Sequence, residues 1–255
     1  MIRAPRIAIP LPTSTDPEYN DRCWGQYADA VEKSGGIPVM VNLEEGPSAI
    51  ARLAAGCSGV LLPGSPADVN PQKYGQDVHP KTAPRDALRE AADELLLQDA
   101  FNLHKPLLCI CYGHQSMNVW KGGTLKQHLT TEVDHAPGRT IDEAHAVVVD
   151  PGAVRLVEAF GGLGGLVNSS HHQALDCVGD GLRVAAYAAG DGVVEAVEGE
   201  EGFVVGVQWH PERTFARQAA SRRLFTSFVE AAREWRASGT GDDCGEDGLD
   251  TSRNR

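Results

Sequence analysis

The chain has 255 residues, 42% hydrophobic and 23% charged, with a formal net charge of −12 at pH 7. These values fit a soluble globular protein able to bury a core without disulfide staples. The acidic balance excludes nucleic-acid binding as the main task, since phosphate contacts need clustered Lys and Arg.

Short apolar runs alternate with helical segments along the first half. Residues 6–9 read as a strand, 23–34 as a helix stopped by Gly35 and Gly36, and 37–41 as a second strand. Residues 47–55 read as a short helix. A third strand at 59–62 runs into the turn Pro63-Gly64-Ser65-Pro66. A long helix follows over 86–102, then a fourth strand over 106–110 and a helix over 113–120, ended by Gly122 and Gly123. This alternation predicts an α/β fold, a mostly parallel sheet covered on both faces. The second half is richer in strands, at 145–149, 182–186, 193–198 and 203–208, some pairing antiparallel, before a closing helix over 213–235. Residues 1–237 read as one domain. From 238 onward almost nothing is apolar, which reads as a disordered tail. No apolar stretch approaches the roughly 20 residues of a membrane span. Residues 1–10 lack a secretory h-region, so a cytoplasmic location with reduced cysteines is expected.

The densest chemical signal is P-L-L-C-I-C-Y-G-H-Q-S-M-N, residues 106–118. A buried strand ends at Cys111 and a helix starts directly after it. Gly113 allows the chain to fold back, the helix N-terminus favours a thiolate, and the N–H of Tyr112 points where an oxyanion would form. On this segment alone a buried core cysteine fits equally well. A metal site built on Cys109 and Cys111 lacks a second ligand pair at zinc-like spacing, and Cys109 reads as strand core. The segment F-V-V-G-V-Q-W-H-P-E, residues 203–212, shifts the balance. It is a strand that delivers His210 and Glu212 at its end, with Pro211 fixing the backbone between them. Such an arrangement can aim an imidazole at a thiol while a carboxylate orients it.

Six segments in order, residues 61–75, 85–86, 110–119, 122–125, 167–173 and 206–212, carry a resemblance. The chain resembles the class I glutamine amidotransferase-like superfamily, in its peptidase C26 branch of γ-glutamyl hydrolases. The resemblance implies a flavodoxin-like sandwich, Cys111 as nucleophile, His210 as general base and acid, and Glu212 as its orienting partner. It implies an oxyanion hole from Gly64, Ser65 and Tyr112, and a γ-glutamyl pocket lined by Gln115, Asn168, Ser169 and His171. The implied reaction cleaves the γ-glutamyl amide bond of small compounds, γ-glutamyl-γ-aminobutyrate of putrescine catabolism foremost, through a thioester. A glutaminase subunit feeding ammonia to a synthase uses the same three residues and is the alternative. The scheme needs no metal and no organic cofactor. The expected partner is a small γ-glutamyl substrate, with no nucleic acid and no membrane, and a homo-oligomer is compatible with the sequence. Two positions depart from the family pattern: Cys109 stands for the usual Gly, and Tyr112 for the branch's usual Arg.

Overall fold

A computed structural model describes residues 3–235. The tail expected over 238–255 lies outside the described residues. The first four strands are β1 (Arg6–Pro10), β2 (Ile37–Val41), β3 (Gly59–Leu62) and β4 (Leu107–Ile110). With β11 (Val204–Val207) they form a parallel half-sheet in the order β2-β1-β3-β4-β11. The sheet continues antiparallel through β10 (Val194–Gly199), β9 (Leu182–Ala188), β6 (His145–Val149) and β7 (Gly164–Val167). The pairs β5 (Leu125–Lys126) and β8 (Ala174–Leu175) attach beside β10.

The inner parallel strands β1, β3, β4 and β11 read as unbroken apolar runs because both faces are buried, whereas the edge strand β2 leaves Ile37 and Met40 exposed. Ile7, Ile9, Leu61, Leu108, Ile110, Val205 and Val207 pack on one side. There they meet α1 (Pro17–Lys33) through Tyr27 and Val31, and α7 (Ala219–Glu234) through Phe225, Phe228 and Val229. Their neighbours Ala8, Val60, Leu62, Leu107 and Cys109 face the other way. They meet α2 (Pro47–Ala55), α3 (Ala87–Asn102) and α4 (Tyr112–Trp120). Cys109 is wholly buried there, as its strand position implies.

Several elements differ from expectation. The first helix starts at Pro17, because Asp16 caps it by accepting from the Tyr19 N–H and Pro17 supplies a preset φ. The closing helix is two: α6 (Pro211–Thr214) ends before an extended Gln218, and α7 follows. The break frees α6 to carry Glu212 while α7 lays its apolar stripe on the sheet. Finally, α5 (Val154–Phe160) and β7 lack a clear sequence signal. The first has no side-chain cap, and β7 opens on two glycines. No helix among the described residues is long and apolar enough to cross a membrane.

Candidate active site

Adjacent parallel strands end at the same edge of a sheet, and loops at that carboxyl edge converge. Here β3, β4 and β11 are such neighbours, with Leu62 opposite Cys109 and Val207 opposite Ile110. Their next residues are therefore the turn at Gly64, Cys111, and the segment leading to His210. The Cys111 N–H still donates to Val207 O, at 2.8 Å, so the nucleophile candidate is pinned to the strand that carries the imidazole.

Cys111 has φ 52° and ψ −105°, a left-handed backbone for a residue with a side chain. Such conformations cost about 1–3 kcal/mol and persist only where surrounding packing imposes them. The packing is explicit. A Cβ at Gly113 would collide with the Leu62 carbonyl oxygen, so α4 can press onto β3 only with glycine there. A Cβ at Gly64 would lie 2.9 Å from Cε1 of His210 and 3.6 Å from Cβ of Cys111. Glycine at 64 thus keeps open the space between sulfur and imidazole.

Cys111, His210 and Glu212 are all buried. His210 Nδ1 lies 2.8 Å from Glu212 Oε1, which fixes the proton on Nδ1 and leaves Nε2 as the basic nitrogen. Burial pushes the His210 imidazole below its ordinary value, against the pull of Glu212. Burial alone would raise the Glu212 carboxyl, but His210 and Arg213 hold it below the usual range. The thiol goes the opposite way from the sequence expectation. Burial pushes Cys111 up to about 12, outweighing Arg213 and the N–H of Tyr112, which favour the thiolate. Both shifts favour a neutral thiol beside a neutral imidazole at rest, with the sulfur losing its proton as it attacks.

A cleft of about 250 Å³ opens over the sulfur, lined by Ser65, Cys111, Tyr112, Gln115, His171 and His210 among others. The N–H of Gly64 donates to the Tyr27 hydroxyl at 3.1 Å, while Ser65 Oγ accepts from the Ala67 N–H. Gln115 Nε2 donates to Gln173 O and Gln208 Oε1. Asn168 and Ser169 sit behind the cleft wall. Asn168 clamps the His210 backbone from both sides, its Oδ1 accepting from the N–H at 2.8 Å and its Nδ2 donating to the C=O at 2.7 Å. Ser169 Oγ donates to His135 O. His171 Nδ1 donates to Gln173 O at 2.8 Å.

Several site groups escaped the sequence reading. The cleft also holds Asp68, Arg139 and Arg213, and His172, expected from the sequence as a neighbour of the pocket, lines it too. Beneath it Arg89, wholly buried, pairs with Asp93 at 2.7 Å and donates to the carbonyls of Pro12 at 2.8 Å and Pro63 at 2.5 Å. The Tyr112 ring packs over this guanidinium, 4.8 Å from its centroid. Tyr112 thus points away from the cleft and contributes only its backbone to it. A signal for Arg89 existed: Arg89, Asp93, Leu96 and Ala100 share one buried helical stripe, where a charge pair needs a reason.

The chain is similar to several known proteins. The family described as Peptidase C26 matches residues 11–212. The γ-glutamyl-γ-aminobutyrate hydrolase of Escherichia coli K12 is 33% identical over 222 residues, covering 81% of this chain and 84% of that protein. Protein NtpR of Enterococcus hirae is 32% identical, covering 80% and 87%. A Schizosaccharomyces pombe protein provisionally named a glutamine amidotransferase is 30% identical, covering 81% of each chain. A Thermoplasma acidophilum crystal structure, provisionally described as one component of a GMP synthase, superposes with a TM-score of 0.61 over 90% of this chain and 94% of that one. At 16% identity that likeness concerns the α/β fold alone.

Proposed function

Since the chain belongs to the peptidase C26 family, whose members act on amide bonds, we propose that it hydrolyses the γ-glutamyl amide bond of small γ-glutamyl amines, γ-glutamyl-γ-aminobutyrate foremost. The observation that carries this reading is the meeting of Cys111 and His210 in one cleft, with Glu212 hydrogen-bonded to the imidazole. The Escherichia coli relative supports the substrate class.

In the proposed reaction the sulfur of Cys111 attacks the γ-carbonyl carbon while His210 Nε2 takes the thiol proton. Glu212 stabilises the imidazolium that forms. The oxyanion accepts from the N–H groups of Tyr112 and Ser65, donors each worth about 3 to 4 kcal/mol in such transition states. Gly64, whose own N–H is held by Tyr27, sets the backbone of that turn. His210 then returns its proton to the leaving amine nitrogen as the C–N bond breaks. A water deprotonated by the same imidazole attacks the thioester, releasing glutamate and the thiol. Gln115 and His171 line the head-group end of the cleft, and Arg139 offers the charge that a glutamyl carboxylate needs.

A glutaminase subunit is the second reading, favoured by the fission-yeast relative's name. Purified chain, without any partner, separates the two: a stand-alone hydrolase turns over a panel of γ-glutamyl amines, and Cys111→Ala loses about 10⁴-fold or more in kcat. Turnover retained by Cys111→Ala, or silence toward every amide until a second protein is added, would overturn the proposal.

A further inference from the structure

Among the described residues one cluster of ligand-type side chains stands apart from the reacting groups: His135, His145, His171 and Glu195. They come from four places in the chain. His135 lies in the long segment 127–144, His145 opens β6, His171 lies between β7 and β8, and Glu195 is on β10. Their side chains are between 0% and 7% exposed. Oε1 of Glu195 lies 3.2 Å from His135 Nδ1, 3.4 Å from His145 Nε2 and 3.5 Å from His171 Nε2. All four of these atoms are buried and make no hydrogen bond, nor does the second oxygen of Glu195.

The outer nitrogens explain what the inner ones must be. His171 Nδ1 meets Gln173 O at 2.8 Å, and His145 Nδ1 meets Ala146 O at 3.3 Å. A carbonyl only accepts, so both nitrogens carry their proton. His135 Nε2 meets the Asp191 carboxylate at 2.9 Å and donates to it. In neutral rings the proton is then on the outer nitrogen, and the inner nitrogen presents a lone pair. Three lone pairs and a carboxylate oxygen facing one point in a buried space repel one another unless a metal cation sits between them or a proton joins His135, which Asp191 and Glu195 flank, to Glu195.

We propose that His135, His145, His171 and Glu195 bind one divalent transition-metal ion, Zn²⁺ being the ion whose preference for imidazole nitrogen with a carboxylate oxygen the cluster matches. Imidazole nitrogen and carboxylate oxygen bind Zn²⁺ at about 2.0–2.2 Å, so the edges of a tetrahedral site run to ~3.3–3.5 Å. The three distances from Glu195 match that spacing, and the four ligand atoms together lie within 4.8 Å of one another, so the rings draw inward when the ion binds. Carbonyl or carboxylate acceptors on the far nitrogen are the outer-shell pattern that orients metal-bound histidines. Four protein ligands close the site, so its role is structural. It fastens the segment 127–144, which carries Arg139, to β6 and β10. His135 O already accepts from Ser169 Oγ and the His171 N–H, and His171 lines the cleft from its other side. The ion would therefore set one wall of the cleft without touching the reacting sulfur.

The test uses the full chain made without a histidine tag, stripped with chelator, equilibrated with Zn²⁺ or Co²⁺ and desalted. Elemental analysis then gives metal per chain, and the visible spectrum of the Co²⁺ form reports tetrahedral coordination. One ion per chain is expected in the parent and in Cys111→Ala, which removes adventitious binding at the thiol. His145→Ala, the least buried ligand, is expected to fall to background while keeping its far-ultraviolet circular dichroism. A folded parent that takes up no metal overturns the proposal, whatever any variant does. So does metal that disappears in Cys111→Ala and remains in His145→Ala. Both readouts are independent of turnover, so they leave the hydrolase assignment to its own experiment.

Discussion

The two halves of the sheet handle polar chemistry differently. In the parallel half, β2-β1-β3-β4-β11, both faces are apolar and the working groups sit at strand ends, on turns that neighbouring strands align. In the antiparallel half, β10-β9-β6-β7, one face is partly open, with Val148, Leu166 and Tyr187 roughly half exposed. There polar groups meet through loops and strand starts far apart in the chain. The parallel half brings the reacting atoms together through strand register. The antiparallel half positions them: Asn168, just after β7, grips the backbone of His210, and the histidine–glutamate cluster holds the loop that carries Arg139.

The largest effect that sharpens this contrast should come from Arg89→Met. It leaves Asp93 buried without its partner and releases the carbonyls of Pro12 and Pro63. Breaking a buried pair in this way costs about 3–5 kcal/mol, to be read from denaturant unfolding. A change below ~1 kcal/mol would mean that the oxyanion turn does not depend on this buried support. Smaller is Asn168→Ala, which leaves the His210 N–H unsatisfied and its C=O with only the Arg213 N–H at 3.2 Å, a loss of about 1–3 kcal/mol. The expected readout is kcat reduced about 10- to 100-fold with KM little changed, because the imidazole is misplaced. If KM rises and kcat holds, Asn168 contacts substrate and the division between halves is wrong.

The smallest effect is a displaced pH profile. His210 must be neutral to accept the thiol proton, and burial sets it below the ordinary imidazole value. The acid limb of kcat/KM should therefore lie below that of a free histidine, with activity lost as pH falls through it. Glu212 pulls the imidazole upward, so Glu212→Gln should move the limb to still lower pH while reducing kcat. A limb that moves to higher pH would show that Glu212 does not stabilise the imidazolium.

What the sequence discloses follows the same divide. Strands β1, β3 and β4 are legible almost to the residue because burial on both faces leaves unbroken apolar runs, and β2 because an apolar run follows the helix-ending Gly35 and Gly36. Cys111 is legible because a strand, a nucleophile and a glycine occur together within a few residues, and His210 with Glu212 because they end a second such strand. Less visible are β7, with its two glycines, and the capless α5. The cluster of His135, His145, His171 and Glu195 is hidden because its ligands are scattered over four segments with no recurring spacing. The direction of the Cys111 shift also escapes local reading. A helix N-terminus is a feature of the segment, whereas burial of the sulfur depends on the whole fold, and burial prevails.

The central claim is that Cys111 carries the γ-glutamyl group during turnover. Rapid mixing of the enzyme with a γ-glutamyl amine, acid quenching within a turnover, and peptide mass analysis test it directly. A γ-glutamyl adduct on the peptide containing Cys111, formed and consumed at the rate of turnover, is the predicted result. Turnover with no adduct at any time, or an adduct on the exposed Cys177 instead, would contradict the account.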